Sequence, residues 1–442
     1  MKIGVIGTGY QGLVTGTCLA ENGHQVLCMD RDRERIARLN RAELPIHEPG
    51  LEELVIRNME EERLRFTDSL DAVTDECLMI FLCVGAPVDQ AGRVDTSRVL
   101  EVSRAIAGHT PAYRILVNKT TCPPGTADRI EAVFRETAAH PVDVVVNPDF
   151  MKEGSAVDDF LRPDRVVVGS GDVRIIEMLR ELYRPFLRTG KPFLAMSRRD
   201  AEMVKYANNL MLAARISVMN QLADLCEALD CDIDQVREAV GADTRIGPMF
   251  LFPGLGFGGM GLPRDVATCA GLARERGIPA GLMESILEVN RYRREKFLQT
   301  ILDHFGGDVV EKRFAFWGAA FKPKTDDLRG APALELISGL ISRGATVRVY
   351  DPVSGPGLIS RFEQGVELAR KVYEALENAD ALVITTEWNE FRRPDYERMA
   401  ALMRRPVIFD GRNLFTPAVI AKAGFWYYSV GRPPARPFTD NA

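Results

Sequence analysis

Six residues near the start of the chain, Gly7-Thr8-Gly9-Tyr10-Gln11-Gly12, fit G-x-G-x-x-G, a pattern suited to wrapping backbone around a pyrophosphate. The first glycine permits a tight turn and the second lets the backbone approach the phosphates. The third allows a helix to pack closely on a strand. The surrounding residues supply that context. Lys2–Ile6 reads as a buried strand, and a helical pattern runs from about Gln11 to Asn22. The helix would face the phosphates with the partial positive charge of its N-terminus. Asp30 ends the next strand, Gln25–Asp30, eighteen residues after Gly12. Its carboxylate would accept hydrogen bonds from the adenosine ribose and repel a 2′-phosphate. This points to NAD over NADP, a preference that Arg31 alongside softens.

Other chemistries find less support. The five histidines are scattered, and no metal site is expected. Eight cysteines without paired short spacings suggest reduced thiols in a cytoplasm. A net charge of −6 with no long basic run makes nucleic acid and anionic membrane poor partners. No stretch of eighteen apolar residues is present to span a bilayer. The first residues run straight into a strand, so no signal peptide is expected.

Further strand-length apolar runs lie at Leu78–Val84, Arg114–Val117, Asp143–Val146 and Arg165–Val168, with helical patterns between most of them. Such alternation predicts a parallel, doubly wound α/β sheet. From Asp200 to about Leu229 neither Gly nor Pro occurs and apolar residues recur at helical spacing. This predicts a connecting helix that could also form a subunit interface. A Gly-rich stretch, Gly241–Gly261, precedes more helix to about His304. Alternation resumes with strands at Phe314–Trp317, Thr346–Asp351, Ala381–Thr385 and Val407–Asp410 and a helix at Leu334–Ser342. Arg432–Pro437 reads as an irregular tail. The expected plan is two Rossmann-like, doubly wound domains, 1–197 and 306–442, joined by a helical central domain, 198–305.

Longer motifs add a resemblance. They include Pro45-Ile46-His47-Glu48-Pro49-Gly50-Leu51, Lys119-Thr120-Thr121-Cys122-Pro123-Pro124-Gly125-Thr126 and Asn147-Pro148-Asp149-Phe150-Met151-Lys152-Glu153-Gly154. Ala201–Asn209, Asp243–Gly247, Pro253–Gly259, Leu262–Asp265, Phe321–Arg329 and Asp410–Asn413 follow in order. Over nearly its full length the chain resembles the UDP-glucose/GDP-mannose dehydrogenase family. The resemblance implies an N-terminal NAD domain, a C-terminal domain holding a nucleoside diphosphate, a sugar in the cleft between them, and a homodimer built on the central helix.

The same resemblance implies residue roles. Thr121, Glu153, Lys205, Asn209 and Asp265 would be catalytic. Oxidising an alcohol removes a proton as well as a hydride, so a base and a stabiliser of developing alkoxide are needed. Lys205 could serve as either, Asp265 could order a water that relays the proton, and Asn209 could donate to the forming oxyanion. Gly7, Gly9, Tyr10, Gln11, Gly12, Asp30, Val84, Gly85, Thr121, Arg264 and Arg329 would line the cofactor. Asp149, Phe150, Met151, Lys152, Glu153, Lys205, Asn209, Phe250, Phe257, Gly258, Gly261, Lys322 and Arg412 would meet the nucleotide sugar, with Arg245 reaching it across the dimer interface. Asp243–Gly247 and Asp410–Asn413 look like the UDP-sugar branch, whereas Leu262-Pro263 is similar to the GDP-mannose branch. The base therefore stays open.

One departure bears on mechanism. The family motif reads Gly-Gly-Ser-Cys-(Phe/Leu)-Pro-Lys-Asp, and here stands Gly258-Gly259-Met260-Gly261-Leu262-Pro263-Arg264-Asp265. Gly261 occupies the place of the catalytic cysteine. In the family that thiol adds to the aldehyde formed first, and the thiohemiacetal yields a second hydride and then a hydrolysable thioester. Gly261 cannot take this role, while the first oxidation needs no thiol. Asp149 and Ala86 are also smaller than their family counterparts, Glu and Thr, whereas Met260 and Met151 are larger. A single oxidation of a hydroxyl to a carbonyl is expected, with a secondary alcohol on an extended-chain sugar of an antibiotic pathway as the fitting substrate. The alternatives are a four-electron oxidation without the thiol, a redox-neutral epimerase and an inactive binding homologue. Cys122, Cys226, Cys231 and Cys269 are expected to be packing residues.

Overall fold

Strand β1 (Lys2–Ile6) buries four of its five residues. Ile3 and Val5 enter one apolar cluster and Ile6 the opposite one, the alternation of a sheet covered on both faces. The computed structural model describes residues 1–89, 91–188, 190–362 and 364–437. The chain divides into two compact units, Met1–Asn208 and Asn209–Ala442. The second unit takes in both the helical middle and the C-terminal sheet, which the sequence separates into two domains.

In the first unit β1 is joined by β2 (Gln25–Met29), β3 (Leu64–Thr67), β4 (Met79–Leu82), β5 (Arg114–Asn118), β6 (Val142–Val146), β7 (Val166–Gly169) and β8 (Phe193–Met196). The sheet order is β3-β2-β1-β4-β5-β6-β7-β8. Strand β1 pairs in parallel with β2 on one side and β4 on the other. The winding therefore reverses at β1, and a crevice forms beyond its C-terminal end. One expectation is corrected: β6 and β7 run antiparallel, meeting at Val146 and Gly169. The helix Ala156–Leu161 lies in the connection, and the join is a single residue pair, so little ladder bonding opposes the reversal before β7 goes on to pair in parallel with β8.

The predicted long helix spans Arg198–Ala228, 31 residues, about 46 Å at the α-helical rise. In the second unit the helices Ile233–Gly241, Gly261–Glu275 and Gly281–His304 precede β9 (Arg313–Trp317). Phe314 and Phe316 enter one cluster while Ala315 and Trp317 enter another. Each buried aromatic contributes roughly 1.5–3 kcal/mol. With β10 (Thr346–Tyr350), β11 (Val366–Leu368), β12 (Ala381–Ile384), β13 (Val407–Asp410) and β14 (Trp426–Ser429), β9 forms a parallel sheet of order β11-β10-β9-β12-β13-β14.

Two further expectations can be compared with the structure. The segment Arg432–Pro437 is irregular, as expected, but it is anchored. Arg432 is buried, pairs with Asp234 at 2.9 Å and donates to the Tyr427 hydroxyl, and Tyr427 bridges to Ala435. Cys231 is exposed, because it lies in the turn after the long helix, whereas Cys122, Cys226 and Cys269 are buried. Among the described residues no helix is long and apolar enough to cross a membrane, and no His/Cys/Asp/Glu group could hold a metal.

Candidate active site

The turn after β1 has the three-glycine logic its motif predicts. Gly7 sits at φ +96°, and a Cβ there would lie 2.5 Å from the Cys83 carbonyl oxygen. A Cβ on Gly12 would lie 1.8 Å from the Gly7 carbonyl oxygen, so neither position accepts a side chain. Gly9 differs: nothing lies within 4 Å of a Cβ built on it. It also caps the helix Tyr10–Glu21, whose first amides lack intrahelical partners. An open face backed by such amides is what a dinucleotide pyrophosphate requires, so these residues fit NAD.

Asp30 stands one residue beyond β2 and is buried. Its Oδ2 accepts from the Thr8 amide at 2.9 Å, the Thr8 hydroxyl and Arg35 at 3.0 Å, and its Oδ1 from the Asp32 amide. Burial pushes its pKa up, but these donors outweigh burial and hold the carboxyl below its ordinary range. The structure thus makes Asp30 the anchor of the glycine loop, a role beyond the ribose contact expected from sequence. Thr120 donates to the carbonyls of Leu82 and Val84 and so joins the ends of β4 and β5, beside Gly85 and the half-buried Thr121. Cys122 points away into the apolar cluster holding Val84, Ala86 and Leu116.

The segment Asn147–Gly154 leaves β6 and is tightly held. Asn147 donates to the Val167 carbonyl and accepts from Lys119 at 3.2 Å and Tyr183 at 2.6 Å. Burial pushes the Lys119 ammonium down, with nearby Asp149 opposing. Asp149 caps its own turn by accepting from the Met151 amide. Phe150 lies with the Arg165 guanidinium 3.7 Å from its ring centroid and the Lys205 ammonium 5.6 Å from it. The structure thereby brings Lys205 beside the predicted sugar-binding segment. Met151 and Glu153 are half-buried. Lys152 is turned outward and paired with Asp159 at 2.6 Å.

In the second unit Asn209 and Asp265 meet directly. The Asn209 amide donates to Asp265 Oδ2 at 2.6 Å, and Arg264 donates to Oδ1 at 2.8 Å. Asp265 is fully buried. Arg264, expected at the cofactor, therefore has its Nε on this carboxylate. Gly261 opens the helix that carries Asp265, and a Cβ there would meet only Asn209 Nδ2, at 3.9 Å. Space is thus open at Gly261, beside the Asn209 amide that bonds Asp265. Lys205 and Asn209 are four residues apart on one helix, a spacing that puts side chains on one face.

The Gly-rich loop is clamped rather than flexible. Gly254 donates to Asn220, and Leu255 to the Gly411 carbonyl. Phe257 exchanges two hydrogen bonds with the Asn290 side chain, and Arg294 donates to the Phe257 carbonyl at 2.6 Å. Gly259 donates to the Arg329 carbonyl. A Cβ on Gly258 would lie 2.4 Å from the Gly330 carbonyl oxygen. Asn220, Asn290 and Arg294 escaped sequence reasoning, and their only signal is polar residues on otherwise apolar helix faces. Arg412 is also a clamp: it donates to the carbonyls of Thr385, Gly256 and Phe321 and pairs with Glu387. Lys322 is half-buried, with its ammonium 5.5 Å from the Phe321 ring centroid. Phe250 takes φ +61° at the start of the loop. The side chains of Arg245 and Arg329 are exposed and forked onto Asp243 and Asp327.

Comparison with known proteins identifies the family. Residues 1–187 match the NAD binding domain of the UDP-glucose/GDP-mannose dehydrogenase family, residues 199–292 its central domain, and residues 315–417 its UDP binding domain. The chain is 44% identical to a UDP-glucose 6-dehydrogenase of Pseudomonas aeruginosa over 98% of each chain. It is 41% identical to one of Rhizobium meliloti, covering 98% of this chain and 100% of that one. The structure of a UDP-glucose dehydrogenase from Pyrobaculum islandicum superposes with a TM-score of 0.90 at 32% identity over 98% of each chain. The class is that of NAD-dependent oxidoreductases acting on the CH–OH group of a nucleotide sugar. The chain belongs to the UDP-glucose/GDP-mannose dehydrogenase family.

Proposed function

We propose that this enzyme oxidises one hydroxyl of a UDP-linked sugar to a carbonyl and releases it there. The observation that carries the reading is Gly261, with open space facing Asn209 and Asp265. The cysteines next to the site motifs are unsuited as replacement thiols: Cys122 is buried in an apolar cluster, and burial pushes the Cys269 thiol up to about 11. NAD, when bound, accepts the hydride. Lys205 and Asn209 receive the proton and steady the developing alkoxide, and Asp265 fixes the Asn209 amide toward it. The absence of a side chain at Gly261 leaves room for a substituted reacting carbon, hence a secondary alcohol whose ketone cannot be oxidised to an acid; an extended-chain sugar of an antibiotic pathway fits this. The domain match to a UDP binding domain favours uridine.

A second reading has its own support in the 44% and 41% identical UDP-glucose 6-dehydrogenases. There an aldehyde would add water, and its hydrate would lose a second hydride and a proton to give the acid. A panel of UDP-, GDP- and TDP-sugars, read for NADH yield and product, separates the two. One NADH per sugar supports a single oxidation, and two NADH with an acid contradict it. A homodimer is part of the proposal. Met211, Val218, Leu225 and Leu229 are exposed along the central helix, and the Arg245 side chain is exposed at the surface of its own unit. A monomer in sedimentation velocity would contradict it.

A further inference from the structure

Two of the three variable side chains of the glycine motif reach away from the cofactor loop. Gln11 donates to the Lys119 carbonyl at 2.9 Å, at the end of β5. The Tyr10 hydroxyl donates to Glu48 Oε2 in a short hydrogen bond. Glu48 is buried, and its carboxylate continues the path. Oε2 accepts from the Gly154 amide at 2.6 Å and Oε1 from the Ala156 amide at 2.8 Å. The Gly154 amide also lies 3.0 Å from the Tyr10 hydroxyl oxygen. Burial and the Glu48 charge push the Tyr10 hydroxyl far up, so it remains a donor. Gly154 sits at φ +80°, a conformation that these bonds hold in place.

We infer that Tyr10 and Glu48 form a strut through which cofactor binding orders the turn Glu153–Ala156. Tyr10 is the first residue of its helix, and its amide is one that a pyrophosphate would engage. Fixing that amide fixes the ring, the ring fixes Glu48, and Glu48 holds two amides of the turn. Glu48 is steadied from its other side, its carbonyl accepting from Leu51 at the start of the helix Leu51–Glu60. The strut joins one half of the reaction to the other, because Asp149–Glu153 are proposed to meet the sugar; this last step rests on the proposed function. Tyr10 and Glu48 are positioning residues, and the linkage makes the two ligands bind cooperatively.

The test is hydrogen–deuterium exchange of the full chain with and without saturating NADH. In the unsubstituted protein, NADH slows exchange at Gly154 and Ala156 by about fivefold, the effect of one net hydrogen bond. Tyr10→Phe keeps both Glu48 caps, so its exchange without NADH stays within about twofold, while the NADH-dependent slowing disappears. Glu48→Gln speeds exchange at both amides even without NADH. Undiminished NADH-dependent slowing in Tyr10→Phe, at saturation shown by NADH fluorescence, overturns the inference. Binding of the UDP-, GDP- and TDP-sugar panel measured in parallel isolates the other assumption. Binding of an accepted sugar that Asp149→Ala leaves undiminished, or failure of every sugar to bind, contradicts the assignment of Asp149–Glu153, while the exchange result still decides the strut.

Discussion

Gly261→Cys is the substitution that interrogates the site most sharply. The structure sets its stability cost. A Cβ there meets one atom, Asn209 Nδ2, at an ordinary contact distance of 3.9 Å. Gly261 lacks a positive φ and is the first residue of the helix Gly261–Glu275, so a side chain brings no backbone strain. Removing glycine's unfolded-state freedom contributes about 0.4–1 kcal/mol toward stability. The melting temperature should hold or rise slightly. The new thiol sits at a helix N-terminus, which favours the thiolate. It would face the Asn209–Asp265 pair and add to an aldehyde, allowing a second hydride to leave and a thioester to hydrolyse. The assay uses UDP-glucose, whose 6-hydroxyl is primary, and counts NADH per sugar consumed. The unsubstituted enzyme should yield one, and Gly261→Cys should move toward two with acid as product. A destabilisation above about 2 kcal/mol would refute the claim of open space. An unchanged yield of one from a folded variant that forms the aldehyde would refute the claim that only the thiol is missing.

Other substitutions test the supporting groups. Asp265→Asn leaves one acceptor oxygen for two buried donors, Asn209 and Arg264, so kcat should fall by about 10²–10³, with loss of melting temperature as the structural control. Asn290→Leu removes both hydrogen bonds to the Phe257 backbone; the KM for the nucleotide sugar should rise about tenfold while the KM for NAD holds. Glu202 is buried and accepts from the amides of Gly125 and Ala127, yet burial outweighs these bonds and lifts its pKa from 4.5 to about 7. Its folded state thus favours the protonated form. The stability it contributes is full below pH 4.5 and is lost as the pH rises through about 7, bounded at about 3 kcal/mol. Melting temperatures across that window should fall less in Glu202→Gln than in the unsubstituted chain.

The repeating α/β pattern was legible because buried parallel strands read as apolar runs, as the unbroken stretches Met79–Leu82 and Ala381–Ile384 illustrate. Four strands were left unread: Trp426–Ser429, despite its aromatic run, and three with weak or interrupted runs. Leu64–Thr67 alternates with a charged Arg65, Phe193–Met196 is a half-exposed edge, and Val366–Leu368 has three residues. The antiparallel β6–β7 pairing carries no local signature, since direction is set by the connection and by sheet packing. At the site, motif chemistry pointed to Gly7, Gly9, Gly12, Asp30, Asn209 and Asp265. It could not foresee that Arg412 is spent on three carbonyls or that Asn290 and Arg294 clamp the Gly-rich loop. Those roles depend on contacts between segments far apart in the chain. The same holds for Glu48, a residue of a recognised motif whose use appears only when its two oxygens are traced to Gly154 and Ala156.

The central claim concerns how far each sugar is oxidised, and the mass of the product tests it most directly. A nucleotide sugar that the enzyme accepts should be incubated with excess NAD in ¹⁸O-labelled water and the product weighed against its substrate. The account predicts a carbonyl compound lighter by two hydrogens, formed with one NADH, any label exchanging away in ordinary water. A carboxylate that keeps ¹⁸O and forms with two NADH would contradict it.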